Sequence, residues 1–221
     1  MSVFKIIDVN FAKIGIWKLN ETVDELKVMI FNDLSQQEKL SFANFKSNRR
    51  QKEWLATRAL LKKLRNTKKV EEIKYLPTCK PYLDTENIGI SHSHDFVAII
   101  LSENAEVSID IEKISHKPQR ISHKFLSTDE LNFFDISDDK IATLLWSAKE
   151  TVYKFHSQKE LAFIGKIKLH KTKINAKGTL NATLNEEKNL LVNYEFIENN
   201  ILTYIVGEQS FNFKTYFIDN K

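Results

Sequence analysis

Cysteine is all but missing from these 221 residues: Cys79 stands alone, so no intrachain disulfide can form and nothing points to an oxidising compartment. Cys79 itself reads as a small buried hydrophobe rather than a nucleophile. Glycine and proline are scarce too, at 5 and 3, which leaves no stretch able to act as a flexible linker; any two halves must pack directly on each other. Long apolar runs are also lacking. The longest, Phe96 to Leu101, falls far short of the roughly 18 to 20 residues needed to cross a bilayer, so no membrane span is expected. Met1 to Trp17 alternates apolar and charged positions without a signal-peptide core or cleavage site, and the cytoplasm is the expected location. Nor does one sign of charge dominate: 33 Lys and Arg oppose 29 Asp and Glu. The net +4 is far from the charge of a nucleic-acid-coating protein.

What is present is core-forming material, with 42% hydrophobic residues and 15 phenylalanines, enough for one large domain or two small ones. Periodicity predicts strands at 3–9 and 13–19 and helices at 22–32, 35–45 and 48–66, the second opening on the capping-box pattern Ser35-Gln-Gln-Glu38. Strands dominate from 73 to 113. Helices return at 118–125, 128–135 and 138–157, and a hairpin of 190–197 with 201–208 precedes a last strand near 211–218. This order predicts an α+β fold rather than a parallel α/β sheet.

The chain also repeats itself. A shift of 92 residues lays Leu34–Leu64 on Leu126–His156 without a gap, with identities at seven of 31 positions, among them Ser35/Ser127, Glu38/Glu130 and Trp54/Trp146. We read this as a duplicated α+β unit whose copies pack about a pseudo-twofold axis, residues 1–105 forming one half and 106–221 the other. Glu150 then corresponds to Arg58, so the copies differ in charge, acidic in the second and basic in the first.

Three segments carry chemistry. In Val107-Ser-Ile-Asp-Ile-Glu112 an apolar strand bears carboxylates at i and i+2, so Asp110 and Glu112 project from one face. Such a pair is costly unless solvated, as beside Lys113, or bridged by a hard cation such as Mg²⁺, which takes one or two carboxylates together with waters and phosphate oxygens. On the predicted helix at 138–157, Trp146, Glu150, Tyr153 and Lys154 share a face, either as a surface ion pair or as part of a site. Ile90-Ser-His-Ser-His94 places His92 and His94 on one face without a third ligand of zinc-like spacing; His92 beside serine can hold a phosphate, with Lys80 upstream.

Together, Lys80-Pro81, Ile90-Ser-His-Ser93, Ser108-Ile-Asp-Ile-Glu112 and Trp146-Ser-Ala-Lys-Glu-Thr-Val-Tyr-Lys154 resemble the 4′-phosphopantetheinyl transferases, in particular their larger monomeric type. The spacing of 40 residues from Asp110 to Glu150 is that of the family. The resemblance implies a pseudo-dimeric α+β fold with the active site between the halves. It also implies transfer of phosphopantetheine from coenzyme A to a serine of an apo acyl or peptidyl carrier protein, releasing adenosine 3′,5′-bisphosphate. By the same resemblance, Asp110, Glu112 and Glu150 hold Mg²⁺, or Mn²⁺ in its place. Glu150, near its ordinary pKa, takes the serine proton, and Lys154 neutralises phosphate charge, so that Asp110, Glu150 and Lys154 form the catalytic set. Lys80, Ser91, His92, Arg50, Arg58 and Lys149 are the expected coenzyme A ligands. Ser108 and His94 stand where the family commonly has glycine. Glu130 occupies a further acidic family position but also completes the capping box Ser127-Thr-Asp-Glu130.

Two other readings compete: a coenzyme A-binding relative with a different acceptor, and a nucleic-acid-binding module using Lys62-Lys63, Arg65, Lys68-Lys69 and 166–177. Those basic positions lack interleaved aromatics, which favours a solvated face, and no nucleic-acid partner is expected.

Overall fold

The computed structural model describes residues 3–156 and 161–209. β1 (Val3–Val9) alternates half-buried and exposed positions and turns at Phe11, φ 60°, into β2 (Ala12–Lys18). Three helices follow, each set by its ends. α1 (Val23–Ile30) opens on a complete capping box between Thr22 and Glu25, and α2 (Gln36–Ala43) on the Ser35 hydroxyl, which accepts from the Glu38 N–H. α3 (Asn48–Arg65) stops at Asn66, whose left-handed φ of 53° ends the helix.

Five strands come next: β3 (Lys74–Tyr75), β4 (Pro81–Tyr82), β5 (Asn87–His92), β6 (Phe96–Ser102) and β7 (Ala105–Lys113). Then follow α4 (Lys117–Arg120), α5 (Thr128–Phe133), α6 (Asp139–His156), β8 (Ile167–Leu169), β9 (Lys177–Leu184), β10 (Lys188–Ile197) and β11 (Asn200–Gln209). One antiparallel sheet runs β1-β2-β6-β5, a second β7-β11-β10-β9-β8, and β3 with β4 makes a small ribbon. In both large sheets the strand that leads into the helices pairs with the last strand after them: β2 with β6, and β7 with β11.

Three apolar clusters hold these layers. Leu26, Leu55, Leu60 and Ile99 pack α1 and α3 on the first sheet, while Leu144, Val152, Leu180 and Ile205 pack α6 on the second. The third joins the sheets to each other through Ile14, Ala98, Ile100, Ile109 and Leu202. Burial of this kind contributes about 1.5–3 kcal/mol for each large side chain, so the third cluster fixes the two sheets as one body.

The mixed α+β class is as expected, with three local differences. The helix expected at 118–125 is α4 followed by a separate tight turn at Ser122–Lys124, broken at Ile121. β8 forms inside the basic segment 166–177 and β9 begins at its end; in β9, KGTLNATL, buried Leu180, Ala182 and Leu184 alternate with Thr179, Asn181 and Thr183. Cys79 is exposed rather than buried, in the β3–β4 connection at φ 67°, because that tight turn projects from the sheet. The strand expected near 211–218 lies outside the described residues. Among the described residues, no helix is long and apolar enough to cross a membrane.

Candidate active site

The site begins where β5 lies against β7. A Cβ on Gly89 would stand 2.8 Å from Ile100 Cγ2 and 3.3 Å from the Ile109 backbone nitrogen, so glycine there lets β5 approach β7. That approach seats Ser91 over Asp110. We expect Gly89→Ala to lower stability by about 1–3 kcal/mol, through displaced packing, and to separate Ser91 from Asp110; an unchanged thermal midpoint would show that β5 has room to move.

Asp110, 3% exposed, is enclosed by donors. Its Oδ1 accepts from Ser91 Oγ at 2.9 Å and Lys154 Nζ at 2.6 Å, and its Oδ2 from Ser147 Oγ at 2.7 Å. Two residues along the same strand face, Glu112 accepts from Trp146 Nε1 at 3.3 Å. Burial and then the charge of Asp110 push the Glu112 carboxyl up to about 7. Glu150 is raised as well, first by burial and then by Asp110, with Lys154 opposing. The expectation that Glu150 keeps an ordinary carboxylate pKa is therefore corrected. Ser108, at the position where glycine was the pattern, leaves β7 intact and ties it to α6 by donating to the Thr151 carbonyl at 2.6 Å.

Facing these acids across a cleft of about 330 Å³ are side chains from the first half of the chain. Arg50 Nη1 lies 2.8 Å from His92 Nε2, and buried Glu53 stands 3.5 Å from Arg50 Nη1 and 3.7 Å from His92 Nδ1. Burial lowers the His92 pKa, against the opposing pull of Glu53. Asp110, Glu112, Glu150 and Lys154 thus share one cleft with Arg50 and His92.

The other expected ligands stand differently. Arg58 reaches the cleft wall but is 3% exposed, its guanidinium 3.7 Å from the Trp54 ring centroid and its Nε donating to Glu38 Oε1 at 3.0 Å. Ser91 spends its hydroxyl on Asp110. Lys80 lines a smaller apolar pocket beside the cleft, 3.7 Å from Glu106. Lys149 is not in the cleft at all: wholly buried, it donates to Glu130 Oε2 and to the Ile167 carbonyl, both at 2.8 Å. Glu130 also accepts from the backbone N–H groups of Ser127 and Leu169, so it caps α5 and neutralises Lys149 rather than joining the acids. Ser147 and Glu53 are the residues that sequence reading missed. Helical spacing could have found both, since Ser147 precedes Glu150 by three positions and Glu53 follows Arg50 by three.

Among the described residues no group of three or more His, Cys, Asp or Glu forms a ready-made metal cage. The donor set nonetheless fits a hard cation. Glu112 and Glu150, raised first by burial and then by the charge of Asp110, would be relieved by a divalent ion, and Mg²⁺ would complete its shell with waters and phosphate oxygens.

Residues 106–204 match the family model of the 4′-phosphopantetheinyl transferase superfamily. The matched stretch includes Asp110, Glu112, Glu150 and Lys154, and ends after Thr203. It supports a transferase and, in general terms, phosphopantetheine transfer; that family uses coenzyme A as donor, generally with Mg²⁺, and acts on carrier proteins. No curated protein matches the chain.

Proposed function

We propose that this protein transfers 4′-phosphopantetheine from coenzyme A to a serine of an acyl or peptidyl carrier protein, as a Mg²⁺-dependent monomer of the larger type. One observation carries the reading: Asp110, Glu112, Glu150 and Lys154 share a single cleft with Arg50 and His92. A carboxylate cluster of this kind would suit a cation, and the Lys154 ammonium and Arg50 guanidinium, with His92 beside them, would suit the phosphates of one pyrophosphate. In this reading the halves 1–105 and 106–221 are copies about a pseudo-twofold axis, and the repeat between Leu34–Leu64 and Leu126–His156 supports it.

Asp110, Glu112 and Glu150 would hold Mg²⁺, which when bound neutralises the pyrophosphate charge. Glu150 takes the proton of the carrier serine hydroxyl, directly or through a water. The serine oxygen bonds to the phosphorus of the pantetheine phosphate, and the bond to the leaving adenosine 3′,5′-bisphosphate breaks. Lys154, one turn beyond Glu150, supplies positive charge as that bond lengthens. Arg50 and His92 hold the nucleotide 3′-phosphate, with Arg58 shaping the wall beneath them.

The test is the intact mass of a purified apo carrier after incubation with coenzyme A, Mg²⁺ and this protein. A phosphopantetheine-sized gain, lost on adding chelator, supports the reading. Measurable coenzyme A binding with no gain on several carriers would assign a different acceptor. Lys117, Arg120, His123 and Lys124 form an exposed basic cluster, suited to an acidic carrier. We expect reversal of Arg120 and Lys124 to Glu to raise the apparent KM for carrier about tenfold with kcat little changed; an unchanged KM would exclude this surface.

A further inference from the structure

Behind Asp110 lies a row of hydroxyls that the proposed reaction does not use. Ser147 and Thr151 on α6 and Thr203 on β11 are each 0% exposed. Ser147 Oγ lies 2.7 Å from Asp110 Oδ2, Thr203 Oγ1 lies 2.9 Å from Ser147 Oγ, and Thr151 Oγ1 lies 2.6 Å from Thr203 Oγ1. In the sheet, Thr203 is the direct cross-strand partner of Asp110.

The carboxylate end sets the direction of the row. A carboxylate only accepts, so Ser147 gives its single proton to Asp110. Ser147 must then accept from Thr203, and Thr203, its proton committed, must accept from Thr151. Thr203 also lies 3.1 Å from the Ser147 carbonyl oxygen, a second acceptor for the same proton. Ser147 therefore points at Asp110, with Thr203 behind it sharing its proton between Ser147 Oγ and the Ser147 carbonyl, and hydrogen bonds so linked polarise one another in a dry interior. With Oδ2 held from behind, Oδ1 is left facing Ser91, Lys154 and the cleft.

We propose that Thr203 is a positioning residue: acting through Ser147, it fixes the Asp110 carboxylate in the rotamer that presents Oδ1 to a divalent cation. The inference rests on the proposed function and reaches it through a residue 93 positions from Asp110 in the chain. Thr203→Val keeps the shape and removes the hydroxyl, whereas Thr203→Ser keeps the hydroxyl.

The experiment measures Mn²⁺ binding by calorimetry in the presence of coenzyme A, together with kcat, KM for carrier and thermal midpoint. We expect Thr203→Val to weaken Mn²⁺ binding and lower kcat, each about tenfold, with KM for carrier unchanged, and Thr203→Ser to restore both. Wild-type behaviour of Thr203→Val overturns the proposal, as does equal impairment of the Val and Ser variants, which would mean packing alone. Should Thr203→Val not fold, Thr151→Val, which removes the donor at the far end of the row, is read the same way, with a smaller loss expected. A wild-type protein that binds neither Mn²⁺ nor coenzyme A overturns the functional reading itself, and this inference with it.

Discussion

Asp110→Asn is expected to reduce holo-carrier formation by about a thousandfold or more while the protein stays folded. The exchange is nearly isosteric and removes one formal charge, yet the surroundings of Asp110 have no place for an amide. The Oδ1 side receives donors from Ser91 and Lys154, and the Oδ2 side a donor from Ser147. The new NH₂ must face one of them. Turned outward, it sets N–H against the Lys154 ammonium; turned inward, it opposes the Ser147 proton and forces the hydroxyl row to reverse. The outward choice leaves the amide N–H groups without an acceptor, at about 1–3 kcal/mol, and the inward one withdraws the Ser147 hydrogen bond that held the side chain. To this is added the loss of a charged ligand where charge develops, for which a single preorganised group accounts for about 10²–10³ in rate. The measurement is the initial rate of mass gain on apo carrier at saturating Mg²⁺. More than a tenth of wild-type rate would remove Asp110 from the cation site and leave Glu112 and Glu150 to hold it.

The proposed site is divided between what repeats at short range in the chain and what only folding brings together. Asp110 and Glu112 were legible because strand alternation needs only two residues to reveal a shared face, and the Glu150–Lys154 face because helical spacing does the same. The capping serines Ser35 and Ser127 were equally legible, since an N-cap is a local device. Thr203 was not: its importance depends on strand register and on helix-to-sheet packing, which no local pattern encodes. β9 went unread although it is locally patterned, buried Leu180, Ala182 and Leu184 alternating with Thr179, Asn181 and Thr183; only Lys177, Gly178 and Asn181 disfavour a strand.

The repeat carried more information than its identities. Glu38 and Glu130, matched by the 92-residue shift, are 2% and 1% exposed, and each pairs with a cation of the long helix that follows: Glu38 with Arg58, Glu130 with Lys149. Matched glutamates thus do matched work, each joining a short helix to the next long one. The charge divergence at Arg58 and Glu150 is then physically intelligible. In the first half the cation occupies the position that turns toward the cleft; in the second it moves one residue back, to Lys149, and frees that position for Glu150.

That shift assigns Lys149 to stability rather than to coenzyme A. Lys149→Met removes an ammonium that is wholly buried and leaves Glu130 facing an apolar side chain, with only the N–H groups of Ser127 and Leu169 to hold its charge. Breaking one partner of a buried pair costs about 3–5 kcal/mol. At about 2–4 °C per kcal/mol for a chain of this size, the thermal midpoint falls by roughly 6–20 °C. The paired change Lys149→Met with Glu130→Gln should recover part of the loss, because the uncompensated charge disappears while the amide oxygen still accepts from one of the two backbone N–H groups. Below the lowered midpoint, coenzyme A affinity should stay within about twofold of wild type, since the ammonium is turned away from the cleft and toward β8. Thermal denaturation of the wild type and the two variants beside coenzyme A titration decides the matter: a weakened coenzyme A affinity at an unchanged midpoint would return Lys149 to the binding site, whereas a fall in midpoint relieved by the second substitution fixes it as the buried tie between α5, α6 and β8.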